Sequence, residues 1–281
     1  MVLKHIAHNE SVACNDFWEF KGKVDYVDDW FLMKSPLPLF FLTASYLLFV
    51  LKLGPKFMKN RSQFSLSEVL IFYNFFQVMF SCFLLSIGSR IIIDNGLLGT
   101  SCLMDNESSK WTVTSSIYYY FIAKVTELMD TIFFVLRKNY HQVTFLHIYH
   151  HTMMMCCTWI MLKYEPSQST IFLGNVNSFV HIIMYGYYAL SAFPGLVRYL
   201  WWKKYITIMQ MLQFACIILQ AAVSYVYTPC PPSYTLLLTI SLNAVLFIIL
   251  FANFYVKAYL MKNRGKCEQK NGARTEVTKL E

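Results

Sequence analysis

The sequence predicts an all-α, multi-pass membrane protein with seven transmembrane helices, and three observations predict it. Charged residues make up 14% of the 281-residue chain, where a soluble domain carries about 25%. Hydrophobic residues make up 56%, and the mean hydropathy is +0.42. Apolar runs of roughly 20 residues recur along the chain, each long enough to cross a hydrocarbon core of about 30 Å. Continuous runs of that length read as helices, because a helix satisfies its own backbone groups in lipid.

Residues 1–35 are polar and mixed in charge. They do not read as a cleavable signal peptide, so the first membrane helix is expected to act as the targeting signal. The spans are expected over 37–53, 66–89, 115–136, 143–162, 169–193, 205–227 and 234–259. One transmembrane domain thus covers 36–260, and the polar residues 261–281 read as a disordered tail.

Alternate connections are rich in cations. Lys52, Lys56, Lys59 and Arg61 follow the first span, and Arg137 and Lys138 follow the third. Arg198, Lys203 and Lys204 follow the fifth, and the tail carries seven more cations from Lys257 to Lys279. The intervening connections are poor in them. This positive-inside pattern predicts a cytosolic C-terminus and an N-terminus on the far side. It also explains the net charge of +8 without nucleic-acid binding. Cys14, Cys102 and Cys230 fall on the far side, where an oxidising lumen permits a Cys102–Cys230 disulfide. Asn9 and Asn106 head glycosylation sequons on that side, whereas the Asn60 sequon is cytosolic and silent.

Ionisable groups inside a membrane are costly and usually functional. The third span holds Lys124, Glu127, Asp130 and Thr131; the fourth holds His147, His150 and His151 in "HIYHH". The fifth holds Asn177, His181, Tyr185 and Tyr188, and the sixth holds Thr207, Gln210 and Gln213. Residues three and four apart share a helix face, so each set forms a polar stripe. Lipid is too costly a target for these stripes. They are expected to meet in a shared interior, in the cytosolic half of the membrane.

Four intramembrane histidines allow a metal site, a nucleophile or general base, or a proton relay. A di-iron centre needs about eight nitrogen ligands, and the chain has seven histidines, with His5, His8 and His141 outside the spans. One metal on three histidines stays open. So does a transporter, although spans three to five lack the mid-membrane proline of a broken helix. Neutral imidazole is a good acyl acceptor or base near neutral pH. Asp130 or Glu127 would orient a ring, and Gln210 or Asn177 would donate to a developing oxyanion.

In order and spacing, "KVTELMDT", "HIYHH", "NSFVHIIMY" and "TIMQMLQ" resemble the signature boxes of the ELO family. These are the elongases of very-long-chain fatty acids, 3-oxoacyl-CoA synthases of the endoplasmic reticulum. The likeness runs from Val27 to Lys262, and "VDDWFLMKSPLP", "LGPKFMKNR", "YNFFQV" and "DTIFFVLRK" look like the animal long and very-long-chain branch. The resemblance implies seven helices, six forming a barrel around a closed acyl tunnel. It implies condensation of a long-chain acyl-CoA with malonyl-CoA, with no cofactor. It implies His150 as acyl acceptor, completed by His147, His151 and His181. Asp130 and Glu127 would orient histidines, and Lys124 would balance their charge. Asn177, Tyr185, Tyr188, Gln210 and Gln213 would bind substrate, and Arg137, Lys138, Lys203 and Lys204 would hold CoA phosphates. Expected partners are both CoA esters, membrane lipid and the ketoreductase, dehydratase and enoyl reductase of the cycle, with room for a homo-oligomer. The family's dilysine retrieval signal is incomplete here, with Thr278 beside Lys279.

Overall fold

The structure, a computed structural model, describes residues 24–98, 106–228 and 231–261. Cys14, Cys102, Cys230, Asn9 and the tail cations from Lys262 onward lie outside the described residues. Among the described residues the regular elements are all helical.

The first rod spans Pro36–Met58. Its first part, α1 (Pro36–Leu48), starts on a proline, which fits the first helical turn because its missing N–H has no partner there anyway. A wide π turn over Phe49–Leu53 then leads into α2 (Gly54–Met58). Pro55 cannot donate to the preceding turn, and the wide turn directly before it absorbs that defect. Gly54 lets the rod press on α5 (Leu128–Leu136): a Cβ there would lie 2.6 Å from Val135 Cγ1 and 2.9 Å from the Phe49 carbonyl oxygen. Gly54→Ala is therefore expected to cost about 1–3 kcal/mol by overpacking, read as a lower melting temperature in detergent.

The remaining helices are α3 (Ser67–Asn95), α4 (Glu107–Thr126), α6 (Phe145–Tyr164), α7 (Gln168–Ser191), α8 (Lys203–Tyr227) and α9 (Tyr234–Tyr255). Side-chain oxygens of Asn106, Thr144, Ser167 and Ser233 cap α4, α6, α7 and α9 by accepting from the first-turn N–H groups of Ser108, His147, Thr170 and Leu236. Asn106 of the second sequon is exposed at this cap.

Four helices among the described residues are long and apolar enough to cross a membrane: Pro36–Met58, Ser67–Asn95, Lys203–Tyr227 and Tyr234–Met261. The expected third, fourth and fifth spans exist as α4–α5, α6 and α7. They fall short of that apolarity because they carry the inward-turned polar side chains. Helix α3 packs on α4, α4 on α6, α6 on α9, α9 on α8, α8 on α7, and α7 back on α3. Six helices thus contact one another in a cycle, which α4 also crosses to pack on α7. The α1–α2 rod lies against α5. Large apolar residues such as Phe40, Phe72, Leu219 and Leu242 remain exposed on the outer faces, a surface suited to lipid.

Residues 24–34 pack into the end of the bundle remote from the start of α6. Val27 and Met33 are fully buried. Trp159 Nε1 donates to the Leu32 carbonyl at 2.9 Å, and buried Lys163 donates to Asp28 and to the Met33 carbonyl, both at 2.7 Å. These bonds hold Leu32 in the left-handed region, at φ 67. Nearby, Glu165 accepts from the Ser233 N–H at 2.6 Å and from the Ser233 hydroxyl, tying the end of α6 to the start of α9.

Candidate active site

The helix that begins at Thr144 puts His147, His150 and His151 on its first two turns, facing inward. On the facing wall, α4 stops at Thr126 and the chain restarts as α5 at Leu128. Glu127 sits at this break, with the Asp130 N–H reaching its carbonyl at 3.2 Å in a tightened turn. Lys124, Glu127, Asp130 and Thr131 are thereby grouped on the inner side of one interrupted span.

These elements enclose a chamber of about 280 Å³, lined by His147, His150, His151 and His181 together with Asp130, Tyr188, Gln210 and Gln213. It opens beside the basic end of the bundle, where Lys203 stands on its lip. Arg137, Lys138 and Lys204 lie at the same end but do not line it. His141, read from the sequence as a loop residue, does line it. The short 3-10 turn Tyr140–Gln142 carries it there.

Behind the lining lies a buried charge network. Lys124 Nζ donates to Glu127 Oε1 and to Asn177 Oδ1, both at 2.7 Å, and sits 4.7 Å from the Tyr120 ring centroid. The Tyr120 hydroxyl donates to the same Asn177 oxygen at 3.0 Å. His181 Nδ1 is 3.1 Å from Glu127 Oε1. A carboxylate accepts, so His181 keeps its hydrogen on Nδ1 and offers the Nε2 lone pair to the chamber. His151 Nδ1 lies 3.9 Å from Glu127 Oε2, too far for a hydrogen bond, and both atoms are buried without a hydrogen-bond partner among the described residues. The Tyr185 hydroxyl donates to Asp130 Oδ2 at 2.7 Å. Lys124, Glu127, Asn177 and Tyr185 therefore brace the wall rather than form its surface. Among the described residues no group of three His, Cys, Asp or Glu side chains converges as a metal site.

His150 is placed differently from the other three. Its ring packs on Phe247 at 5.0 Å, Phe251 at 6.3 Å and Phe214 at 6.5 Å between centroids, with the His151 ring edge-on at 5.4 Å. Beyond Phe214 and Phe247 lies a second, apolar cavity of about 40 Å³, lined by Met153, Met154, Cys157, Met161, Leu173, Ile217, Ile240 and Ala244. Its polar edges are already engaged. Thr158 donates to the Met154 carbonyl, Asn243 bonds Tyr149 and the Thr239 carbonyl, and Asn177 accepts from Lys124. Along α6 the two spaces follow in sequence, from His147 to Met161, roughly 20 Å at 1.5 Å per residue. Phe214 and Phe247, stacked at 5.2 Å, gave no sign in a sequence with 24 phenylalanines.

The fold and site define a helical membrane protein with a histidine-lined chamber and, beside it, a separate apolar cavity. Comparison with known proteins agrees: residues 31–267 match the ELO (GNS1/SUR4) family, and the chain belongs to it. It is 39% identical over 267 residues to very long chain fatty acid elongase 4 of Homo sapiens, covering 91% of this chain and 83% of the relative. It is 39% identical over 254 residues to elongase 2 of Mus musculus, covering 88% and 85%. With elongase 7 of Drosophila melanogaster it shares 38% identity over 244 residues, covering 85% and 73%.

Proposed function

We propose that this protein is a fatty acid elongase that condenses a long-chain acyl-CoA with malonyl-CoA, giving 3-oxoacyl-CoA two carbons longer, CO2 and CoA. The chamber faces the cytosol of the endoplasmic reticulum membrane, where both CoA esters are found. Six helices form a barrel, and the apolar cavity is the beginning of a closed acyl tunnel. Lys203 on the lip takes a CoA phosphate, with Arg137, Lys138 and Lys204 supplying the surrounding positive field.

A single observation carries this reading: His150 lines the polar chamber and packs on Phe214 and Phe247, two rings that line the apolar cavity, and it makes no hydrogen bond among the described residues. An unpaired neutral imidazole is an available nucleophile. In the first half-reaction a ring nitrogen of His150 attacks the thioester carbonyl, His181 Nε2 takes the imidazole proton, the C–S bond breaks, and CoA leaves as its thiolate. In the second, malonyl-CoA loses CO2, the resulting carbanion attacks the acyl-imidazole carbonyl, the C–N bond breaks, and His150 leaves as it recovers its proton from His181. His181, oriented by Glu127, presents Nε2 as the proton acceptor, and Gln210 and Gln213 donate to substrate oxygens. The ketoreductase, dehydratase and enoyl reductase consume the product.

Intact-protein mass spectrometry tests the first half-reaction. Mixed with a long-chain acyl-CoA alone, the protein is expected to gain the mass of the acyl group, and His150→Ala is expected to gain none. A protein that makes 3-oxoacyl-CoA without this adduct would assign His150 to proton transfer and the reaction to a ternary complex.

A further inference from the structure

We propose that Tyr46 and Thr131 are positioning residues that fix the tautomer of His147 and make it a hydrogen-bond donor to the chamber. Tyr46 comes from α1, outside the six-helix cycle. Its hydroxyl lies 2.7 Å from Thr131 Oγ1, and Thr131 Oγ1 lies 2.9 Å from His147 Nε2. Thr131 is wholly buried and Tyr46 nearly so. Three elements, α1, α5 and α6, are thus joined by one chain of hydrogen bonds that ends on a chamber histidine.

The direction of the chain follows from satisfying every hydrogen. Thr131 has one hydroxyl hydrogen and two lone pairs; Tyr46 has one hydrogen. Thr131 is the hydrogen-bond partner of Tyr46 among the described residues. If Thr131 donated to Tyr46, the phenol hydrogen would be buried without an acceptor, which folded proteins avoid. So Tyr46 donates to Thr131, and Thr131 donates to His147 Nε2. A nitrogen that accepts carries no hydrogen, so the neutral His147 ring keeps its hydrogen on Nδ1.

Two histidines of one chamber therefore present opposite faces. His181 turns its hydrogen to Glu127 and offers a lone pair. His147 turns its lone pair to Thr131 and offers a hydrogen. On the elongase reading, that hydrogen serves a thioester carbonyl oxygen as negative charge develops on it. The tautomer itself does not depend on that reading.

Nitrogen NMR of 15N-histidine-labelled protein in detergent tests the tautomer directly, with His147→Gln assigning the signals. The wild type is expected to show a protonated Nδ1 and an unprotonated Nε2 at His147. Thr131→Val is expected to shift both nitrogens toward the average of two tautomers and to lower kcat about tenfold or more, with the KM for acyl-CoA within about twofold. Thr131→Ser keeps the hydroxyl and is expected to restore both readouts. Tyr46→Phe removes one oxygen and should move the same two nitrogens to a smaller degree, which keeps the test available if Thr131→Val does not fold. A wild-type hydrogen on Nε2, or a His147 spectrum that neither Thr131→Val nor Tyr46→Phe moves, overturns the proposal. The predicted spectra in a protein that does not join acyl-CoA to malonyl-CoA would overturn the elongase reading and leave the relay intact.

Discussion

Glu127→Leu is expected to destabilise the protein by about 3–5 kcal/mol and to abolish its activity. The reason is the number of groups that turn to this one carboxylate. Lys124 and His181 both reach Oε1, and His151 approaches Oε2. Lys124 is 2% exposed, so without Glu127 its ammonium stays buried with the Asn177 oxygen as its one side-chain acceptor among the described residues. Removing one member of a buried pair leaves an uncompensated charge, and that is the costly event. Adding Lys124→Met to Glu127→Leu is therefore expected to recover part of the lost stability, read as a rise in melting temperature over the single variant. It would not recover activity, because His181 still lacks the acceptor that sets its ring. If the double variant melts below the single one, the two residues are not a stabilising unit and the cost lies in packing at the helix break. Glu127→Gln separates the roles further: it keeps the shape and an acceptor for Lys124, while its amide competes for the place of the His181 hydrogen.

The parts of this site that lie within one helix were legible in the sequence. His147, His150 and His151 share a face by spacing alone, and Lys124 and Glu127 are one turn apart. The same spacing argument groups Asn177, His181, Tyr185 and Tyr188 on α7. What spacing cannot give is contact between helices. Tyr46 is an ordinary tyrosine in an apolar span, and only the packing of α1 on α5 brings it to Thr131. Nor does a polar stripe say how deep its members sit. Lys124, Asn177 and Tyr185 carry the same signal as Tyr188 or Gln210, yet they lie behind the chamber wall and these line it. His141 escaped because the eight-residue connection 137–144 is too short to show a periodicity. The packing of residues 24–34 into the far end of the bundle escaped for a related reason: its polar surface reads as a solvated segment. The buried Val27, Met33 and Lys163 bonds emerge only in three dimensions.

Ala244→Phe is expected to separate long from short substrates more sharply than any change in the polar chamber. Ala244 is buried on α9 and faces the apolar cavity beyond Phe214 and Phe247. A phenyl ring there would occupy most of a space of about 40 Å³. The methionines at 153, 154 and 161 are unbranched and adaptable, so they can move aside for a substrate chain or for the new ring, but not for both. Burial of one methylene stabilises a complex by about 0.8 kcal/mol, so excluding four costs about 3 kcal/mol, or roughly two orders of magnitude in kcat/KM. That loss falls on acyl-CoA esters long enough to reach the cavity. On the elongase reading shorter esters and malonyl-CoA do not reach it, and their kinetic constants are expected to stay near those of the unaltered protein. The measurement is kcat/KM over a ladder of saturated acyl-CoA lengths, with melting temperature as a control for overpacking. A uniform loss at every length would mean that the introduced ring disturbs His150 through Phe247 instead of shortening the tunnel. An unchanged ladder would mean that the chain leaves the chamber by another route, and the apolar cavity would lose its claim to be the start of the acyl tunnel.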